Sequence, residues 1–94
     1  MIDVIVYEPG KVGYVKQIDG SLKSMQEIVG GYIEQVPFQG GVVLLCNEDG
    51  TMLRLPFNRL GIRGTFFAVR TRGENYVSLT KGDKAALASR FGVE

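Results

Sequence analysis

Val42-Val43-Leu44-Leu45-Cys46 is apolar at every position. A strand with one face in water alternates apolar and polar side chains, so five apolar residues in a row read as a central strand covered on both faces. The rest of the chain is organised around it. Upstream, Gly40-Gly41 marks a turn, and Tyr32-Ile33-Glu34-Gln35-Val36 reads as a strand whose Pro37 argues for an edge or a terminus. Before that, Ser21 is placed to cap a helix with Leu22, Met25, Ile28 and Val29 on one face, and Gly30 stands where a left-handed C-terminal cap belongs. Ile2 to Tyr7 ends at the turn signal Glu8-Pro9-Gly10, and Gly13 to Ile18 resumes in extended character, which predicts a first hairpin.

Downstream, Asn47-Glu48-Asp49-Gly50 reads as a tight turn, because Asp-Gly supplies the positive φ angles of short hairpins. It predicts a return strand Thr51-Met52-Leu53-Arg54-Leu55, with Leu53 and Leu55 on one face and Arg54 on the other. Pairing across that hairpin sets Asn47 near Met52 and leaves Asn58 and Arg59 to fold back over the sheet end. Pro56 to Gly64 is irregular, Thr65 to Val69 is an apolar strand, and Tyr76 to Leu79 is a last short one. Thr80-Lys81-Gly82-Asp83 reads as a capping box opening a helix that buries Ala85, Leu87, Ala88 and Phe91. The expectation is one α+β domain over residues 1–94: a mixed, mainly antiparallel sheet of about six strands with two short helices packed on it.

Ninety-four residues support one core. The formal net charge of +1 gives no long-range field for gathering nucleic acid. The charge is local instead: Thr51 to Gly73 holds Arg54, Arg59, Arg63, Arg70 and Arg72 and no acidic residue. Guanidinium forks bind carboxylate or phosphate through paired hydrogen bonds, so the block points to an anionic ligand. The competing account is a set of solvated arginines pairing with Glu34, Glu48 or Glu74. Asn47, Asn58 and Arg59 add an amide-plus-arginine grouping suited to a nucleotide, against which stands the ordinary use of asparagine in turns.

Catalysis finds little support. Histidine is absent, which removes the usual general acid or base near neutral pH, and Cys46 sits among aliphatic neighbours as a buried thiol would. Glu48 and Asp49 are adjacent on a turn without further spaced ligands, so no metal is expected. Neither Gly-Gly pair fits a phosphate-binding loop. Phe66 and Phe67 must point to opposite sides of a strand, one into the core and the other open to a partner or ligand ring. No signal-peptide pattern opens the chain, and no apolar run approaches the roughly 20 residues of a membrane span.

Four segments in order carry a family resemblance: Val29-Gly30-Gly31-Tyr32-Ile33-Glu34, Cys46-Asn47-Glu48-Asp49-Gly50, Leu55-Pro56-Phe57-Asn58-Arg59 and Gly64-Thr65-Phe66-Phe67. The chain resembles the small phage- and plasmid-borne proteins grouped as domain of unknown function 3846. The resemblance runs from the opening strand through Ser78-Leu79, and it departs from the pattern in a short loop after Arg59 and an alanine-rich last helix. It implies a mobile-element protein of bacteria and no particular reaction, and with no signal peptide or membrane span in the sequence the expected compartment is the host cytoplasm. Joined to the arginine block, it leads to the expectation of a non-enzymatic protein that binds a phosphorylated small molecule or nucleotide. The expected role is sequestering an immune signal as an anti-defence device, through Arg54, Asn58, Arg59, Asn47, Arg70 and Arg72, without cofactor, metal or membrane. The alternative is a protein-interaction module that binds a host or phage enzyme, as a homo-oligomer in one version.

Overall fold

A computed structural model describes residues 1–93. Its elements are β1 (Ile2–Tyr7), β2 (Tyr14–Ile18), α1 (Leu22–Val29), β3 (Ile33–Gln39), β4 (Val42–Asn47), a single 3-10 turn at Arg59–Gly61, β5 (Phe66–Arg72), β6 (Asn75–Val77) and α2 (Lys81–Phe91). Six strands form one sheet in the order β2-β1-β5-β4-β3, with β6 continuing the β1 side of β5. Every strand pairing is antiparallel, so the sheet is not mixed. The chain is one α+β domain.

β4 lies between β3 and β5, and all five of its apolar side chains are buried, as the unbroken run requires. Alternation then sorts two cores. Val43 and Leu45 join Val4, Val6, Phe67 and Val69 under Met25 and Val29 of α1. Leu44 and Cys46 join Ile5, Tyr7, Phe66 and Ala68 under Leu87 of α2. The two helices therefore cover opposite faces. Phe66 and Phe67 do point to opposite sides, but both are fully buried because both sides are roofed. At about 1.5–3 kcal/mol for each large apolar side chain removed from water, these two layers hold the fold together.

The helix ends behave as their residues dictate. Ser21 accepts the Ser24 N–H at 3.1 Å, and Asp19 accepts from the Ser21 N–H and the Ser24 hydroxyl, which hold its carboxyl down at about 2. Gly30 closes α1 at φ 78°. Leu22, expected on the buried face of α1, is exposed. Thr80 and Asp83 form the reciprocal capping box of α2. Ala85 and Ala88, expected to be buried, face solvent. The helix leans on the sheet through the i, i+4, i+8 line of Asp83, Leu87 and Phe91, and the two alanines fall off that line.

The return strand after β4 does not form. Both hydrogen-bonding sides of β4 are already taken, by β3 and β5, so no place remains in the sheet for Thr51 to Leu55. The backbone coils instead: the Gly50 N–H reaches the Asn47 carbonyl, Leu53 N–H the Asp49 carbonyl, and Leu55 N–H the Gly50 carbonyl. Arg54 is thus not on a strand face but in a turn, at φ 53°, and Asn47 has no cross-strand Met52 partner. Gly50 does not adopt a positive φ. It is required because a Cβ there would lie 2.7 Å from the Arg63 carbonyl oxygen.

Candidate functional site

The connection from Glu48 to Thr65 is the longest stretch outside the strands and helices, and Asn58 anchors it. Its Nδ2 donates to the carbonyls of Tyr7 and Gly64, both at 2.9 Å, and its Oδ1 accepts from the Arg59 backbone N–H at 2.8 Å and Arg59 Nη1 at 3.1 Å. That uses the full capacity of a carboxamide, two donors and two lone pairs. Arg59 Nη2 donates to the Lys11 carbonyl at 2.6 Å, and the guanidinium lies 4.9 Å from the centre of the Tyr7 ring. Asn58 and Arg59 do fold back over the sheet end, as an anchor between the loop and the end of β1.

Asn47 acts similarly on the other flank. It is buried, donates to the Val29 carbonyl at 3.1 Å and accepts the Asp49 N–H at 2.8 Å, which ties the end of α1 to the start of the loop. Arg63 donates to the Leu55 carbonyl and stacks 3.7 Å over the centre of Phe57. Arg54 alone among the loop arginines makes no ion pair or side-chain hydrogen bond within the described residues.

Arg70 and Arg72 lie elsewhere. They share the α2 face of β5, at the end of the strand opposite Phe66, and a seven-residue strand is about 20 Å long. Arg70 grips Asp83 through two bonds of 2.7 Å and reaches the Gly40 carbonyl at 2.9 Å. The guanidinium holds the Asp83 carboxyl down at about 2. Arg72 is exposed. The five arginines therefore divide between two ends of the sheet: Arg54, Arg59 and Arg63 share one end with Asn47 and Asn58, and Arg70 with Arg72 occupies the other. No arginine pairs with Glu34, Glu48 or Glu74 within the described residues.

The loop's outward surface was not foreseen from its residues. Met52, Leu53, Phe57 and Leu60 are exposed by 54% to 80%, although the loop that carries them is held by backbone bonds from Leu53, Leu55, Asn58, Ile62 and Gly64. Leu53 and Leu55 had the alternation of a strand, which hid this exposure. Among the described residues the two left-handed ones other than glycine, Arg54 and Leu60 (φ 59°), are in the same loop. Such a conformation costs an L-residue about 1–2 kcal/mol, and neither side chain is buried in return. Beside the loop is a hollow of about 240 Å³, lined by Glu34 and Glu48 together with Leu60 and Arg63.

Two further groups complete the chemistry. Cys46 is buried, its Sγ lies 3.6 Å from the Glu34 carbonyl, and burial pushes its thiol up, away from the thiolate a nucleophile needs. The Tyr7 hydroxyl is buried without a hydrogen-bond partner within the described residues, and burial pushes it up to about 12 against the opposing pull of Arg59. Among the described residues no three His, Cys, Asp or Glu side chains group as metal ligands would, and no helix is long and apolar enough to cross a membrane.

The family model described as Domain of unknown function (DUF3846) matches residues 2–92. No curated protein and no solved structure matches the chain.

Proposed function

The chain belongs to the DUF3846 family, and since the family description carries no activity to build on, we propose from the chain's own residues that it is a non-enzymatic protein-interaction module docking through its 51–63 loop. The observation that carries this reading is the exposure of Met52, Leu53, Phe57 and Leu60 on a loop whose backbone is tied down at Asn47, Asn58 and Arg59. A rigid surface of aromatic and aliphatic side chains loses little entropy on docking, and such side chains supply the anchors of protein interfaces. With Arg54 free and no acid from Thr51 to Gly73, the partner surface is acidic around an apolar centre. The mobile-element setting implied by the resemblance, with the host cytoplasm expected from the sequence, fits a host or phage enzyme as that partner.

Sequestration of a nucleotide signal is the second reading. It has the exposed Phe57 ring as a stacking surface and Arg54 as a free cation. Against it, the donors of Asn58 and Arg59 that would hold a phosphate are engaged with this chain's own oxygens.

The test separates the two. Tagged protein is used to isolate a partner from host lysate, and the purified partner is then titrated calorimetrically with wild type and with Phe57→Ser/Leu60→Ser. In parallel, the wild-type protein is heat-denatured and its supernatant examined by mass spectrometry. The expected result is a loss of affinity of about tenfold or more at equal melting temperature, as for removal of interface anchors, with no nucleotide released. Equal affinity in the double variant, or stoichiometric release of a nucleotide, overturns the proposal.

A further inference from the structure

We infer that the resting occupant of the 51–63 loop is a second copy of this chain, with the basic, apolar loop of each copy seated on an acidic rim of the other. The inference rests on the reading of that loop as a docking surface. The 51–63 loop holds three of the eleven cationic residues, Arg54, Arg59 and Arg63, and none of the ten acidic ones, so the remainder of the chain is net negative. Part of that negative charge lies immediately beside the loop. Glu34 and Glu48 are exposed and line the same 240 Å³ hollow as Leu60 and Arg63, and the Glu48 N–H donates to the Tyr32 carbonyl at 2.8 Å. Tyr32 is itself exposed. The hollow is thus lined by two exposed carboxylates, the counterpart of an apolar loop carrying Arg54.

Neither Glu34, Glu48 nor Arg54 has an ion-pair partner within the described residues. They do not neutralise one another within one copy because Asn58 and the turn bonds of residues 47–55 hold the loop in place. Two patches of opposite charge, side by side on one end of the sheet, are self-complementary about a two-fold axis: each copy offers its loop and receives its neighbour's. Strand addition is disfavoured at β3, and at β2 in the register centred on its lysine, which leaves side-chain docking as the mode tested. Pro37 and a bulge interrupt β3, and a two-fold pairing centred on Lys16 in β2 would bring two lysines together. Self-pairing covers the loop until a partner displaces the second copy.

The experiment is sedimentation equilibrium of the pure full-length protein, up to about 0.5 mM, in about 0.05 M and about 0.5 M NaCl, a range over which exposed charge pairs become strongly screened. The expected result is a dimer at low salt whose dissociation constant rises by about tenfold or more at high salt. Leu60→Ser, Arg54→Glu and Glu48→Arg are each expected to be monomeric, with melting curves confirming that each is folded. Mixing Arg54→Glu with Glu48→Arg is expected to restore a dimer, since each loop then meets a rim of opposite charge. A wild type that stays monomeric at low salt overturns the inference, and so does a dimer indifferent to these substitutions or a mixture that fails to pair. If the wild type is monomeric while a foreign partner still needs Phe57 and Leu60, the self-pairing falls and the interaction module stands.

Discussion

Replacing Asn58 by alanine removes four hydrogen bonds at one stroke: two to the carbonyls of Tyr7 and Gly64, and two from the backbone and guanidinium of Arg59. At about 0.5–1.5 kcal/mol net for each bond the sum is about 2–6 kcal/mol. Water entering this half-buried site recovers part of it, so the expected loss is about 3 kcal/mol, which for a domain of this size lowers the melting temperature by about 12–24 °C. Urea unfolding followed by circular dichroism reads it directly, as a midpoint lower by about 2 M for a slope near 1.5 kcal/mol per molar. Asn58→Asp sharpens the test. The carboxylate keeps both acceptor roles toward Arg59 but turns oxygen toward two carbonyls, so at neutral pH it should be at least as damaging as alanine, and acidification should restore stability as the protonated acid regains a donor. An alanine variant that loses less than about 1 kcal/mol, or an aspartate variant as stable as wild type at neutral pH, refutes the reasoning.

Gly13→Ala places a Cβ 2.4 Å from Tyr7 Cε1, and the Tyr7 ring is held between Phe66 and Phe91, so thermal melts should show a loss of about 1–3 kcal/mol. Arg54→Gly relieves a left-handed residue whose side chain makes no ion pair or hydrogen bond within the described residues. It should raise stability by about 0.5–1 kcal/mol, the relief of about 1–2 being offset by the greater freedom of glycine in the unfolded chain, while weakening association. Acid titration of stability tests the Arg70–Asp83 pair. The Asp83 carboxyl is depressed from 3.8 to about 2 in the folded protein, so its contribution is fully present above about pH 4 and is lost as the pH falls through about 2. Asp83→Asn should flatten the urea midpoint against pH across that window, and an unchanged acid slope would count against the pair.

What the residues disclosed in advance was whatever local chemistry decides. The apolar run of β4, the Ser21 and Thr80 caps, the left-handed Gly30 and the demotion of Pro37 to an edge all follow from rules acting within a few residues, and the structure agrees with each. The segment after Gly50 failed because its outcome is set by neighbours distant in sequence. Asp49-Gly50 followed by alternating leucines has hairpin character, but β5, which begins only at Phe66, already occupies the free side of β4. The arginine block was legible as composition and not as geometry: a strand about 20 Å long separates Arg63 from Arg72, and no spacing rule reveals that Asn58 is consumed by carbonyls fifty-one and six residues away. The exposed loop surface was hidden for the same reason, since Leu53 and Phe57 are core residues by type and solvent-facing only by placement.

The position of β5 in the sheet has a consequence for how the protein is made. β1 with β2, and β3 with β4, are pairs of neighbours in the chain, and two-stranded hairpins alone are marginal in water. Only β5 joins them, through Ile5 to Ala68 on one side and Leu44 to Ala68 on the other. A nascent chain emerging from the ribosome therefore carries two loose ribbons with apolar faces until Phe66 to Arg72 have been synthesised and released. Acquisition of the whole core is then a single late event, driven by one seven-residue segment, and any product truncated before it is prone to aggregate instead of persisting as half a domain.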